Sequence, residues 1–230
     1  MKNSKNRKTM IENINVNKVY EPEEALKLLK EKSFVKFNET LEVAVNLGID
    51  TNKTEQNIKG VINLPNGTGK KANVAVICSE DKTDDAKTNG ADLVGGDDII
   101  DQVEKNNINF DILIATPDMM PKLGKVAKIL GPKGLMPNPK LGTVTNDIAT
   151  SVKNAKSGQI KFKNDKSGIV HAGIGKLNFK EEHLLENLKY FFSSIVKSKP
   201  DTVKGSFIKK VTIASTMGIG LQINQASLRW

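Results

Sequence analysis

Apolar and polar residues alternate from Thr40 to Leu47, with Leu41, Val43, Val45 and Leu47 on one side and Thr40, Glu42, Ala44 and Asn46 on the other. A period of two predicts a strand with one face in a core and one in water. Ile58 to Leu64 looks like its partner strand, and LPNGTGK (64–70) ends the pattern. Upstream, EPEEALKLLKEK predicts an amphipathic helix. Its proline sits in the first turn, its acids come early and its lysines late, and Ala25, Leu26, Leu28 and Leu29 share a side.

From Ala72 the periodicity changes. ANVAVIC and FDILIAT are unbroken apolar runs of strand length, which suit strands covered on both faces. DDAKTNGADLVG and GDDIIDQVEKNN between them read as helix, short strand and helix, while KLGKVAKIL and NDIATSVKNAK add two amphipathic helices. Strands alternating with helices predict a small parallel α/β sheet. After Gly158 the texture reverts: QIKFKND and GIVHAGIGK suggest a hairpin, EEHLLENLKYFFSSIVKSK a long helix, and GSFIKKVTIASTMG with IGLQIN a closing pair of strands.

The predicted architecture is an α/β chain of two domains. Residues 1–67 and 160–230 form a split α+β domain with an antiparallel sheet and helices, into which residues 68–159 are inserted as a second α/β domain. Gly67 and Gly69 stand at the outgoing crossing and Gly158 at the return, where they can serve as turn or hinge residues.

Charge sharpens this partition. The 230 residues carry a net charge of +9, a surplus that predicts a polyanionic partner, nucleic acid or an acidic membrane surface. Residues 68–159 hold twelve lysines and twelve acids, so the entire surplus falls on the split domain. A polyanion's footprint is expected there. The insert is itself polarised, with ten acids against three lysines over 80–111 and seven lysines against two acids over 112–159.

No apolar run approaches the length of a membrane span, and the basic start MKNSKNRKTM lacks a following signal-peptide core, so a cytoplasmic protein is expected. That first stretch reads as an arm that orders on contact. Cys78 is the only cysteine and reads as a buried small hydrophobe, while His171 and His183 lack ligand spacing. No metal, cofactor or disulfide is assigned.

Two motifs invite a phosphate reading. GTGK at 67–70 would end a P-loop, but its leading glycine position is Leu64 and the residue after the lysine is Lys71 rather than Ser or Thr. ANVAVIC is followed by the acidic SEDKTDD, which would repel a pyrophosphate where a dinucleotide fold needs glycines. A nucleotide-dependent enzyme is therefore disfavoured. GPKGLMPNPKLGTVT (131–145) packs three glycines, three prolines and two lysines together. Its prolines remove the N–H groups that a phosphate cradle uses, so it reads as a rigid cap over sheet ends anchored by Leu135, Met136 and Leu141. Lys133 and Lys140 can still touch a backbone as point charges.

This loop is similar to the signature of the L-one family of ribosomal proteins, the large-subunit protein of the mobile stalk beside the tRNA exit site. KFNETLEVAVNLGID, QNIKGVINLPNGTGK, GADLVGG, FDILIATPDMM, KNDKSGIVHAGIGK and STMG follow in the family's order, covering nearly the whole chain. Gly173 in HAGIGK stands where proline is also accepted. The resemblance implies a split first domain carrying an inserted Rossmann-like three-layer second one. It also implies a monomer when free, and RNA binding without catalysis.

The implied partners are large-subunit rRNA within the large ribosomal subunit, exit-site tRNA, and the protein's own operon mRNA in a repressor role. Carried over by motif, the RNA-binding residues are Phe37, Thr40 and Glu42 in KFNETLE, Lys166 and His171 in NDKSGIVH, and Ser215, Thr216, Met217 and Gly218 in STMG. Each admits a reading in RNA chemistry. Hydroxyls of Thr40, Ser215 and Thr216 can donate to and accept from a ribose 2′-OH, Gly218 permits close backbone approach, and Glu42 can accept from amino groups. Phe37 and Met217 offer apolar platforms if exposed and core packing if not. His171 and Glu42 equally fit a satisfied sheet histidine and a salt-bridged carboxylate. Lys166, in a turn, suits a phosphate, and with arginine scarce such contacts fall to lysine point charges.

Overall fold

The computed structural model describes residues 14–15, 18–79, 83–105, 108–139, 142–203 and 205–228. The basic first ten residues, and Lys140 and Leu141 of the proline-rich loop, lie outside them. The elements run β1 (Val19–Tyr20), α1 (Pro22–Glu31), β2 (Thr40–Leu47), β3 (Lys59–Asn63), β4 (Val74–Ile77), α2 (Thr83–Thr88), β5 (Leu93–Gly95), α3 (Asp97–Glu104) and β6 (Ile112–Ala115). Then follow α4 (Met120–Leu123), α5 (Ala127–Leu130), α6 (Ile148–Lys156), β7 (Gln159–Lys163), β8 (Ile169–Lys176), α7 (Glu181–Lys197), β9 (Ile208–Ser215) and β10 (Leu221–Ile223). The chain divides into two compact units, one running to Gly69 and resuming at Ile160, the other spanning Lys70–Gln159.

In the split unit a five-stranded sheet has the order β1-β10-β9-β2-β8. β2 lies antiparallel to both β8 and β9, so that Val43 opposes Ala172 on one side and Ile213 on the other. Leu41, Val43, Val45 and Leu47 all point into one core. α1 covers it with Ala25, Leu26 and Leu29, and α7 with Leu184, Leu188, Phe191 and Ile195. Phe191 meets Phe162 edge to face, with centroids 6.1 Å apart and planes at 77°. α1 starts with Pro22, whose missing N–H has no intrahelical partner to lose, and carries Glu23 and Glu24 in its first turn and Lys30 in its last. A pairing absent from the sequence reading closes the unit: β1 runs parallel to β10. Beside it the Glu21 carboxylate accepts from Asn224 Nδ2 at 2.9 Å and Ser227 Oγ at 2.5 Å.

Two expected pairings are corrected. The 58–64 strand does not join β2; as β3 it pairs with β7 in a separate two-stranded sheet. β7 and β8 share only the bridge from Asn164 to Val170 instead of a full hairpin ladder. Polar side chains bend the chain here. Asp165 Oδ1 accepts from the N–H groups of Ser167 and Ile169 at 2.9 and 2.8 Å, folding a tight turn that redirects the strand. Buried Asn164 accepts the Ile58 N–H at 2.7 Å and so hooks β7 onto the start of β3. Gly60 completes the fit, since a Cβ there would lie 2.6 Å from the Phe162 ring.

The other unit holds a parallel sheet, β5-β4-β6. Every residue of β4 and β6 is buried, and successive side chains serve opposite layers. Ala75, Ile77, Leu113 and Ala115 pack with Ile99, Ile100 and Val103 of α3, Leu123 of α4 and Leu130 of α5. Val74, Val76, Ile112 and Ile114 pack with Ala86 of α2 and with Ile148, Val152 and Ala155 of α6. The single helix expected from KLGKVAKIL is instead the short α4 and α5 joined by a 3-10 turn at Gly124–Val126. Glycine is a poor helix former, and here it opens that turn. α6 is capped by Asp147, whose Oδ1 accepts the Thr150 N–H at 3.2 Å.

The proline-rich loop closes one end of this sheet. Leu135 and Met136 pack against the α3-side core, and the buried Thr143 hydroxyl accepts the Asn138 N–H at 2.8 Å. The Ala115 N–H donates to the Thr143 carbonyl at 3.0 Å, and the Thr145 N–H donates back to Ala115 at 3.2 Å. The prolines cost no ladder bond, because the docking is made by the residues around them.

Candidate nucleic-acid interface

The five-stranded sheet of the split unit has its apolar core on one side only. The other side presents Thr40, Glu42, Ala44 and Asn46 of β2, His171 and Gly173 of β8, and Lys210, Thr212 and Ala214 of β9, all exposed or half-buried. The register sets Glu42 between Gly173 and Ala214, so small residues flank it and leave its carboxylate standing clear. Glu42 has no hydrogen-bond or ion-pair partner among the described residues, which removes the salt-bridged reading of this position.

At one end of that sheet two chain segments meet on a single carboxylate, that of Glu39, which is only 2% exposed. Its Oε1 accepts from Ser215 Oγ at 3.1 Å and the Met217 N–H at 2.8 Å, and its Oε2 accepts from Ser33 Oγ at 2.7 Å. Its own carbonyl accepts the Leu177 N–H at 3.0 Å. A carboxylate this buried is tolerable only when charge-assisted bonds replace its water. Around it the apolar side chains of Phe34, Phe37 and Met217 are 44, 53 and 53% exposed. Phe37 and Met217 therefore face water, and core packing accounts for neither.

The hydroxyls expected to face a partner are partly used at home. Ser215 is buried and spends its proton on Glu39. Thr216 Oγ1 accepts the Thr40 N–H at 3.0 Å and donates to the Thr40 carbonyl at 3.3 Å, latching the turn after β9 to the start of β2. Gly218 is required by this turn, because a Cβ there would collide with Ser215 Oγ. The Thr40 hydroxyl in turn accepts from Lys176 Nζ at 2.8 Å. Lys176 pairs with no carboxylate among the described residues, and it sets its positive charge beside the Thr40 hydroxyl at the same corner.

Phe37, Thr40, Glu42 and Ser215–Gly218 thus cluster at one end of the sheet. His171 lies opposite Ala44, two residues further along the strand, or about 7 Å. Its Nε2 is 3.8 Å from Asp165 Oδ2, and the side chain is exposed, which excludes a satisfied interior histidine. Lys166 sits beyond the far end of β2, in the Asp165 turn, where its carbonyl accepts from Thr51 Oγ1 at 2.8 Å and its side chain is exposed. Hydrogen bonds from Ile169 and Ser167 hold the Asp165 carboxyl below the usual range, the Ile169 amide contributing most.

Glu39 and Lys176 were missed by sequence reasoning, although a signal existed for the first. Extending the two-residue period of β2 back one step puts Glu39 on the inward face, and an acid at an inward position needs a reason. The same period along Val211, Ile213 and Ser215 turns Ser215 inward. Lys176 gave no such signal: its place beside Thr40 depends on the irregular pairing at Leu41 and Glu42, where the partner skips from Gly175 to Gly173.

Gly67, Gly69 and Gly158 all have positive φ, at 65°, 71° and 96°. Gly67 is held, since its carbonyl accepts from Asn187 Nδ2 at 3.0 Å while Asn187 Oδ1 accepts the Asn66 N–H. A Cβ on Gly69 would lie 2.9 Å from the Phe179 ring. The lysine of GTGK, Lys70, donates to Asp111 Oδ1 at 2.7 Å, and that bond is the first cause of the lowered Asp111 pKa. No described helix is long and apolar enough to cross a membrane.

An open-faced polar sheet with exposed aromatics at its rim, in a unit of net positive charge, defines a class of surface suited to folded nucleic acid. Comparison with known proteins gives the family. Residues 29–219 match the model of the ribosomal protein L1p/L10e family. The chain is 56% identical over 204 residues to the large ribosomal subunit protein uL1 of Rickettsia bellii strain OSU 85-389, covering 89% of this chain and 85% of that protein. Against the protein of the same name from Rickettsia akari strain Hartford the identity is 52% over 217 residues, covering 94% and 91%. This chain belongs to the ribosomal protein L1p/L10e family.

Proposed function

We propose that this protein is a structural, non-enzymatic constituent of the large ribosomal subunit that binds large-subunit rRNA through its split unit. One observation carries the reading: the unit holding the whole +9 surplus is also the one whose sheet leaves a polar face uncovered. Phe37 and Met217 supply apolar platforms at its rim, Glu42 an acceptor for amino groups or 2′-OH, Thr40 and Thr216 hydroxyl lone pairs, and Lys166 and Lys176 point charges for phosphates. Ser215 and Gly218 act by shaping the turn. His171 extends the surface along β8.

In this reading the rRNA element belongs to the mobile stalk. The neutral insert moves with the stalk about the crossings near Gly69 and Gly158 as deacylated tRNA leaves the exit site. An element of similar shape in the protein's own operon mRNA would occupy the same face and repress translation.

A filter-binding titration with transcribed large-subunit rRNA tests the proposal. The logarithm of affinity should fall linearly with that of salt, by roughly 0.7–0.9 per phosphate neutralised. Binding that ignores salt, or that does not prefer rRNA to an unrelated strand, overturns it.

A further inference from the structure

We infer that Glu39, which touches no partner itself, is the positioning residue that sets the shape of the RNA-facing corner. The inference rests on the RNA-binding reading and deepens it. The three groups that Glu39 holds belong to two different surface segments. Ser33 begins the stretch carrying Phe34 and Phe37, and Ser215 and Met217 belong to the turn carrying Thr216. Both therefore take their position from one buried side chain.

The division of labour between its oxygens is informative. Oε1 receives two donors and Oε2 one, three bonds on two oxygens, and none of the donors is a cation that would call for the negative charge. A glutamine can reproduce nearly all of this. Its amide oxygen would take the Ser215 and Met217 bonds, and its NH₂ would donate to Ser33 Oγ, which can turn its own hydrogen elsewhere. Alanine reproduces none, leaving the Met217 N–H and the buried Ser215 hydroxyl without a partner and releasing Ser33. Without these ties the platforms remain present but must be ordered by the RNA, and that ordering weakens binding. Charge-driven attraction to phosphates, which needs only the lysines, is untouched.

The test compares intact wild-type protein, Glu39→Ala, Glu39→Gln and Ser33→Ala for binding to two probes, transcribed large-subunit rRNA and poly(U). Thermal melts and hydrogen exchange of the Met217 amide accompany the binding. Glu39→Ala is expected to lose about thirtyfold in rRNA affinity with poly(U) binding unchanged, Glu39→Gln to stay within about threefold of wild type, and the Met217 amide to lose protection only in the alanine variant. A merely structural role would lower both probes together. Equal rRNA affinity in Glu39→Ala, or equal losses for Gln and Ala, overturns the positioning role while leaving RNA binding standing. If Glu39→Ala does not fold, Ser33→Ala decides, since it frees one segment only: a loss confined to rRNA supports the role and no loss overturns it. If wild type does not prefer rRNA to poly(U), it is the RNA-binding reading that fails.

Discussion

The two units solve the same problem with opposite sheets. In the split unit, β2 buries every second residue and leaves the others to water, whereas in Lys70–Gln159 every residue of β4 and β6 is buried between two layers of helices. A sheet covered on both faces can offer a partner only its ends and its helices. A sheet covered on one face can offer an entire surface, and here the unit with that open face is also the one whose sequence carries the net positive charge. The comparison separates residues that can answer to a partner from residues that answer only to packing.

The largest test of that separation lies in the cores. Phe191→Ala should remove about 3–5 kcal/mol from the split unit, because it empties a fully buried site and the edge-to-face contact with Phe162. Denaturant melts should show the loss, and rRNA affinity should fall with it. Leu113→Ala should cost about 2–5 kcal/mol in the other unit while rRNA affinity, measured where the variant is folded, stays within about twofold. A shared loss of affinity would break the contrast between the units.

A smaller effect is expected at the Asp147 cap. Asp147→Ala should lower the melting temperature slightly by calorimetry and leave RNA binding alone.

Lys166→Gln should leave stability unchanged, weaken RNA binding evenly across sequences, and reduce the salt slope by about one. The smallest effect is a pH dependence at the same turn. The Asp165 carboxyl is lowered in the fold, so its support is complete above the ordinary aspartate pKa of about 3.9 and is lost as pH falls through the lower folded value. Amide exchange at Ser167 and Ile169 should quicken in that acid window and not above pH 5, and Asp165→Asn should flatten the dependence.

Much of the fold was legible because it is written locally. Thr40–Leu47 emerged as a strand from alternation alone, Pro22–Glu31 as a helix from its proline, acids and apolar stripe, and ANVAVIC and FDILIAT as covered strands from continuity. Pairing was less legible. Nothing within residues 58–64 names β7 rather than β2 as the partner, and the observed pairing is tied by Asn164 reaching the Ile58 amide across more than a hundred residues.

The site divides the same way. Phe37, Glu42 and Lys166 could be nominated from motif and chemistry, but the exposure that takes Phe37 and Met217 out of the core is a property of the assembled surface. Thr216 reads as a free hydroxyl in a string and proves to be a latch on Thr40.

From the string alone came the element types, the likeness of nearly the whole chain to one family, and the confinement of excess charge to the two terminal segments. These depend on residues near one another or on simple sums. Tertiary structure alone decided which strands pair, that Ser33, Ser215 and Met217 converge on Glu39, and which hydroxyls remain free. Those outcomes depend on atoms far apart in sequence competing for the same few ångströms, and a one-dimensional pattern does not record which of them wins.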